Sequence, residues 1–172
     1  MAPNEPRLRK GDKVQLGYPY LDELDIILKR AIWIKLTIPC LPDFDLSSNR
    51  RRTRHVMAQM RDTKTEMERA YVYLLQAMQE CSNGAQLAAV LDAEGPWSLH
   101  WTLHFPKGER ARDWDNCVPA LKVWQDAMVG LRLGWFPGDS PRYIPTGSVT
   151  VVPNSPEGPS MSLVIIGTAS VE

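Results

Sequence analysis

The sequence predicts an α/β (α+β) fold: a single domain in which one mixed β-sheet is packed by two main helices. Three observations predict it. Residues 32–38 and 97–105 alternate apolar and polar side chains with a period of two, as half-buried strands do. Residues 50–81 carry apolar side chains mainly three, four and seven apart, which gives a helix one apolar face. Two short apolar runs, 148–152 and 161–166, follow a second helical stretch and complete the order β-α-β-α-β-β of a mixed sheet with helices on it.

Each element has its own local logic. Residues 1–30 form an N-terminal extension: 1–20 are rich in Pro, Gly and charge and read as a loose arm, and 21–30 read as a short helix. The domain proper is 31–172. In its first strand Ile32, Ile34, Leu36 and Ile38 alternate with Trp33, Lys35 and Thr37, and Pro39 and Pro42 end it. The sequence Asp45-Leu46-Ser47-Ser48-Asn49 supplies loop and N-cap chemistry for the long helix. Val56, Met60, Met67, Ala70, Tyr71, Leu74, Leu75 and Met78 are its apolar positions, and Ser82-Asn83-Gly84 stops it. In the strand at 97–105, Trp97, Leu99, Trp101, Leu103 and Phe105 point one way, Ser98, His100, Thr102 and His104 the other. A second helix over 117–129 would be capped by Asp115 or Asn116, with Pro119 tolerated in its first turn. The last two strands are expected to form a hairpin around the Pro/Gly loop at 153–159.

Composition excludes several classes. The chain has 172 residues, 44% hydrophobic and 23% charged, within the globular range. No apolar run reaches the roughly 18–20 residues of a membrane span, and Met1-Ala2-Pro3-Asn4-Glu5-Pro6 lacks a signal peptide's apolar core. Cys40, Cys81 and Cys117 are isolated, so they read as small buried hydrophobes in a cytoplasmic protein rather than as disulfides or zinc ligands. Twenty basic residues balance twenty acidic ones, which would argue against nucleic acid if the charges were evenly spread. They are not.

Residues 49–61 hold Asn49, Arg50, Arg51, Arg52, Arg54 and Arg61 with His55 and no acid. Arginine forks match phosphate oxygens in pairs, and cations at a helix start oppose its dipole unless an anion joins them. Lys107, Arg110 and Arg112 add a second basic group. Immediately after it comes Asp113-Trp114-Asp115-Asn116, then Lys122, Asp126 and Asp139. Asp113 and Asp115, two apart on an extended segment, would project to one side and repel unless a cation joins them. Oxygen ligands with room for water favour Mg²⁺, with Mn²⁺ as the alternative, and Asp139 is free to add a third carboxylate. At 100° per residue, Asp115, Lys122 and Asp126 fall within about 20° of one helical face, so the lysine could meet a phosphate's developing charge. His100 and His104, on a strand, lie roughly 13 Å apart and cannot share a metal. Trp114 is expected to pack inward; stacking on an unpaired base is the alternative.

The run Asp113-Trp114-Asp115-Asn116, the Lys122-Val123-Trp124-Gln125-Asp126 helix and Gly138-Asp139-Ser140-Pro141 together resemble the signature of RusA-type Holliday junction resolvases, particularly the phage-like branch. Leu36-Thr37-Ile38-Pro39 and Ser48-Asn49-Arg50 resemble that family's opening strand and loop, and the likeness spans about residues 32–166. It implies a RusA-like fold and a homodimeric, Mg²⁺-dependent endodeoxyribonuclease of DNA recombination and repair, cutting four-way junctions symmetrically in a bacterial or phage-infected cell, with no membrane and no small-molecule cofactor. Asp113, Asp115 and Asp139 would be metal ligands, Lys122 the essential lysine and Arg112 a phosphate contact. Two departures stand out. Lys122 follows Asp115 by seven residues, three more than in the compact form of the family, and Gly138 replaces the first of two usual acids. A branched-DNA-binding protein that does not cleave is the alternative; a phosphatase or nuclease for small substrates would have no use for an extended basic strip.

Overall fold

The computed structural model describes residues 31–44, 55–93, 95–129 and 133–168. The expected arm at 1–20, the helix at 21–30 and the DNA-contact positions expected at Asn49, Arg50, Arg51, Arg52 and Arg54 lie outside the described residues.

Among the described residues, four strands and three helices follow in the order β1 (Ala31–Ile38), α1 (Val56–Gln79), α2 (Gly84–Leu91), β2 (Ser98–His104), α3 (Trp114–Met128), β3 (Thr146–Val152) and β4 (Ser160–Thr168). The sheet is mixed, in the order β1-β4-β2-β3. β4 runs antiparallel to β1 and to β2, with Leu36 opposite Leu163 and Leu99 opposite Ile165. β3 runs parallel to β2, with Trp101 opposite Val149. The expected hairpin is therefore corrected: β2 separates β3 from β4. The reason is topological, because α3 carries the chain from β2 back to a parallel neighbour, as parallel pairing requires. β4, fully buried at Met161, Leu163 and Ile165, takes a central place, and the more exposed β3 takes an edge.

The alternation read in β1 and β2 holds. Ile34, Leu36, Ile38, Leu99, Trp101 and Leu103 join one core with Leu74 of α1, Val90 of α2 and Trp124 of α3. Trp33, Lys35 and Thr37 stay exposed on the other face.

The helices differ more from expectation. α1 begins at Val56, capped by His55, whose Nδ1 accepts from Met57 N–H at 3.3 Å. Its inward stripe is Glu66, Ala70, Leu74 and Ala77, while Val56, Met60 and Tyr71 are exposed. The expected stop at Ser82-Asn83-Gly84 is corrected: α1 ends at Gln79 with Glu80 as its C-cap. Asn83 caps the short helix α2, its side chain accepting from Gln86 N–H at 3.0 Å. α3 starts three residues earlier than expected, with Asp113 at the cap position in place of Asp115 or Asn116. Pro119 is thus the sixth helical residue, in the second turn.

Glu66 is the unforeseen member of the core. It is only 3% exposed, yet its carboxylate accepts from Trp124 Nε1–H at 2.6 Å, Asp43 N–H at 2.9 Å and Arg69 at 3.3 Å. Arg69 also donates to the Leu41 carbonyl at 3.0 Å. A buried carboxylate needs such partners, and here they tie α1 to α3 and to the segment after β1.

Candidate functional site

The β2-α3-β3 crossover carries Arg112, Asp113, Asp115, Lys122 and Asp139. The chain leaves β2, turns at residues 106–108 and reaches Arg112 and Asp113 just before α3. Asp113 has extended backbone and makes no side-chain capping hydrogen bond. Asp115 lies in the first helical turn, where an acid complements the dipole, and its Oδ1 accepts from Asn116 N–H at 2.9 Å. The two acids therefore do not share an extended segment as expected, because the helix starts between them. Both are exposed. Pro119 has no N–H, so the Asp115 carbonyl cannot receive the helical hydrogen bond that residue 119 would ordinarily give.

Two turns along α3, Lys122 is shared by two carboxylates, donating to Asp126 Oδ1 on its own helix and to Asp139 Oδ2 from the loop before β3. Partial burial disfavours the lysine's charge, but the two carboxylates outweigh it and its pKa is raised. Hydrogen bonding to Lys122 holds the Asp139 carboxyl below its ordinary pKa. Sequence reasoning singled out Asp126 but gave it no part in the site; its position four residues after Lys122 was the available signal.

The acids thus fall into two groups. Asp113 and Asp115 sit at the start of α3; Asp139 sits on Lys122, about 10 Å further along the helix axis at 1.5 Å per residue. Among the described residues, no three His, Cys, Asp or Glu side chains come close enough together to hold a metal ion. A three-aspartate magnesium site is therefore not formed in this arrangement. Asp113 and Asp115 are left as two exposed carboxylates on either side of the helix start, apart from the Lys122 group.

Two grooves flank the acid pair. One, of about 480 Å³, is lined by Leu41, Phe44, Phe105, Arg69, Arg110 and Arg112, among others. Within it the Phe44 ring stacks on Phe105 at 5.6 Å, and the Arg112 guanidinium lies over Phe44 at 5.4 Å. The other, of about 300 Å³, runs between α3 and β3 and is lined by Trp114, Val118, Lys122, Gln125 and Val149, among others. Trp114 is 64% exposed, so the expectation that it packs inward is corrected: at the first position of α3 it faces away from the core. Arg61 is exposed on α1.

Each of the two β2 histidines meets a serine hydroxyl. His100 Nδ1 meets Ser148 Oγ at 2.8 Å, and His104 Nδ1 meets Ser155 Oγ at 3.0 Å. All three cysteines are free. Burial raises the Cys117 thiol pKa to about 11, so it is no nucleophile at neutral pH. No described helix is long and apolar enough to cross a membrane. No family model matches the chain, and no curated protein matches its sequence.

Proposed function

We propose that this chain is a divalent-cation-dependent endodeoxyribonuclease acting on branched DNA, with a four-way junction as its substrate. The observation that carries the reading is the meeting of Lys122 with Asp126 and Asp139 on the helix whose start carries the exposed Asp113 and Asp115. Surface ion pairs contribute little stability, so a lysine shared by two carboxylates, with two further exposed acids at the start of the same helix, has a chemical use as its best explanation. The RusA-like order of these residues supports the same reading.

In this proposal Asp113 and Asp115 would hold Mg²⁺ or Mn²⁺. The ion would lower the pKa of a water and neutralise charge on the phosphate. Lys122, kept charged by its two carboxylates, stabilises negative charge on the reacting phosphate. Asp139 and Asp126 position that lysine, and in this arrangement Asp139 is committed to it rather than to a cation. Arg112 and Arg61, with Asn49, Arg50, Arg51, Arg52 and Arg54, follow the DNA backbone, a contribution that weakens steeply with salt. A homodimer, as the RusA-type pattern implies, would bring two such sites to opposed strands of one junction.

The test is cleavage of a synthetic four-way junction with and without Mg²⁺, mapping both strands. Paired, symmetric, Mg²⁺-dependent cuts are expected, with linear duplex left uncut. Tight junction binding without cuts under any divalent ion would instead support the non-cleaving branched-DNA binder.

A further inference from the structure

Arg112 and Trp114 stand on either side of Asp113 in sequence, and each lines a different groove. Both present a flat surface. The Arg112 guanidinium rests on Phe44, which rests on Phe105, so this short stack ends in a charged plane beside the exposed Arg110. Trp114 exposes most of its indole in a groove with the exposed Val118 on one wall and β3 on the other. On that wall Gly147 carries no side chain, and a Cβ there would lie 2.6 Å from the Leu99 carbonyl oxygen. Large exposed apolar side chains grouped in a groove mark a binding surface. Lys122 and Gln125 line the same groove and offer hydrogen-bond donors that an aliphatic occupant would leave unused.

We propose that a locally unpaired DNA strand crosses the ridge at Asp113, with one base stacked on Trp114 and a neighbouring nucleotide stacked on the Arg112–Phe44 pair. The chemistry is that of single-strand recognition: bases stack on aromatic rings and on guanidinium planes, and cations track the backbone. Arg110 and Arg112 supply positive charge for the phosphates on the larger groove's side. This inference rests on the branched-DNA reading and deepens it, since paired duplex hides its base faces and a branch point can expose them.

The experiment compares binding of the full chain to an oligothymidylate, a four-way junction and a linear duplex of equal length. Trp114→Ala should weaken oligothymidylate and junction binding about 5- to 100-fold while leaving duplex binding unchanged, and Trp114→Phe should restore most of the loss. Arg112→Lys, which keeps charge but removes the plane, should weaken oligothymidylate binding more than duplex binding. Junction and oligothymidylate affinities unchanged in Trp114→Ala would overturn the proposal. So would an altered oligomeric state in that variant with DNA affinity intact, which would give the groove to a second copy of the chain. A wild-type chain that binds none of the three DNAs overturns both this inference and the function it rests on. Binding that depends on Trp114 without any cleavage upholds the base-stacking site and removes only the nuclease.

Discussion

Lys122 and Asp139 come from elements 17 residues apart and meet across the surface of α3. The lysine's folded pKa is raised, so its share of the interaction is complete below its ordinary value and is lost as pH rises through the folded one. Asp139's folded pKa is lowered, so its share is complete above the ordinary carboxylate value and is lost as pH falls through the folded one. The contact should therefore persist unchanged from about pH 5 to pH 9. Carboxyl-detected NMR should find Asp139 titrating below 3.8, its ordinary value, and Lys122→Met should move it back toward that value; an Asp139 that titrates normally in the wild type would contradict the pairing. A second residue-scale expectation concerns thiols. Cys117 is fully buried with its pKa at about 11, whereas Cys81 is half-buried. Iodoacetamide on the native protein at pH 8 should modify Cys81 first and leave Cys117 intact until the chain is denatured.

At the scale of elements, the position of α3 depends on Glu66. Its carboxylate is the common partner of the Trp124 indole, the Asp43 amide and Arg69. Glu66→Ala would strand a buried indole N–H and leave Arg69 without its counter-charge, at a cost of about 3–5 kcal/mol. Glu66→Gln, which keeps an acceptor, should cost less. Urea denaturation reads both, and equal losses would show that charge rather than hydrogen bonding matters there. Glu66 also shows where the sequence was legible and where it was not. It falls on the same helical stripe as Ala70, Leu74 and Ala77, but an acid on a helix normally reads as solvated. The strands β1 and β2 were legible because one sheet face is packed and the other is not, which writes a period of two into the sequence. α2 was missed because Asn83-Gly84 reads as a helix stop, whereas α1 already ends at Gln79 and these residues begin the next helix. The pairing of β3 and β4 was missed because strand order depends on where α3 returns the chain, which no local pattern records. The two groups of acids were read as one for a related reason: their separation depends on α3 starting at Trp114.

For the whole molecule, the zero net charge is a sum of unlike parts. Core residues of the three described helices and four described strands gather on one side of the sheet, while Asp113, Asp115, Lys122 and the two grooves are spread along α3 and the segment before it. The residue types of the site were legible in sequence; its layout, with a carboxylate pair at the cap and a lysine-centred cluster two turns away, was not. The proposed function gives Asp113 and Asp139 separate duties, which is testable. The most direct measurement is junction cleavage and junction binding by Asp113→Asn in Mg²⁺. Cleavage should be abolished with junction affinity within a few-fold of wild type, because binding depends on the basic residues and the grooves. Full cleavage by Asp113→Asn would contradict the central claim.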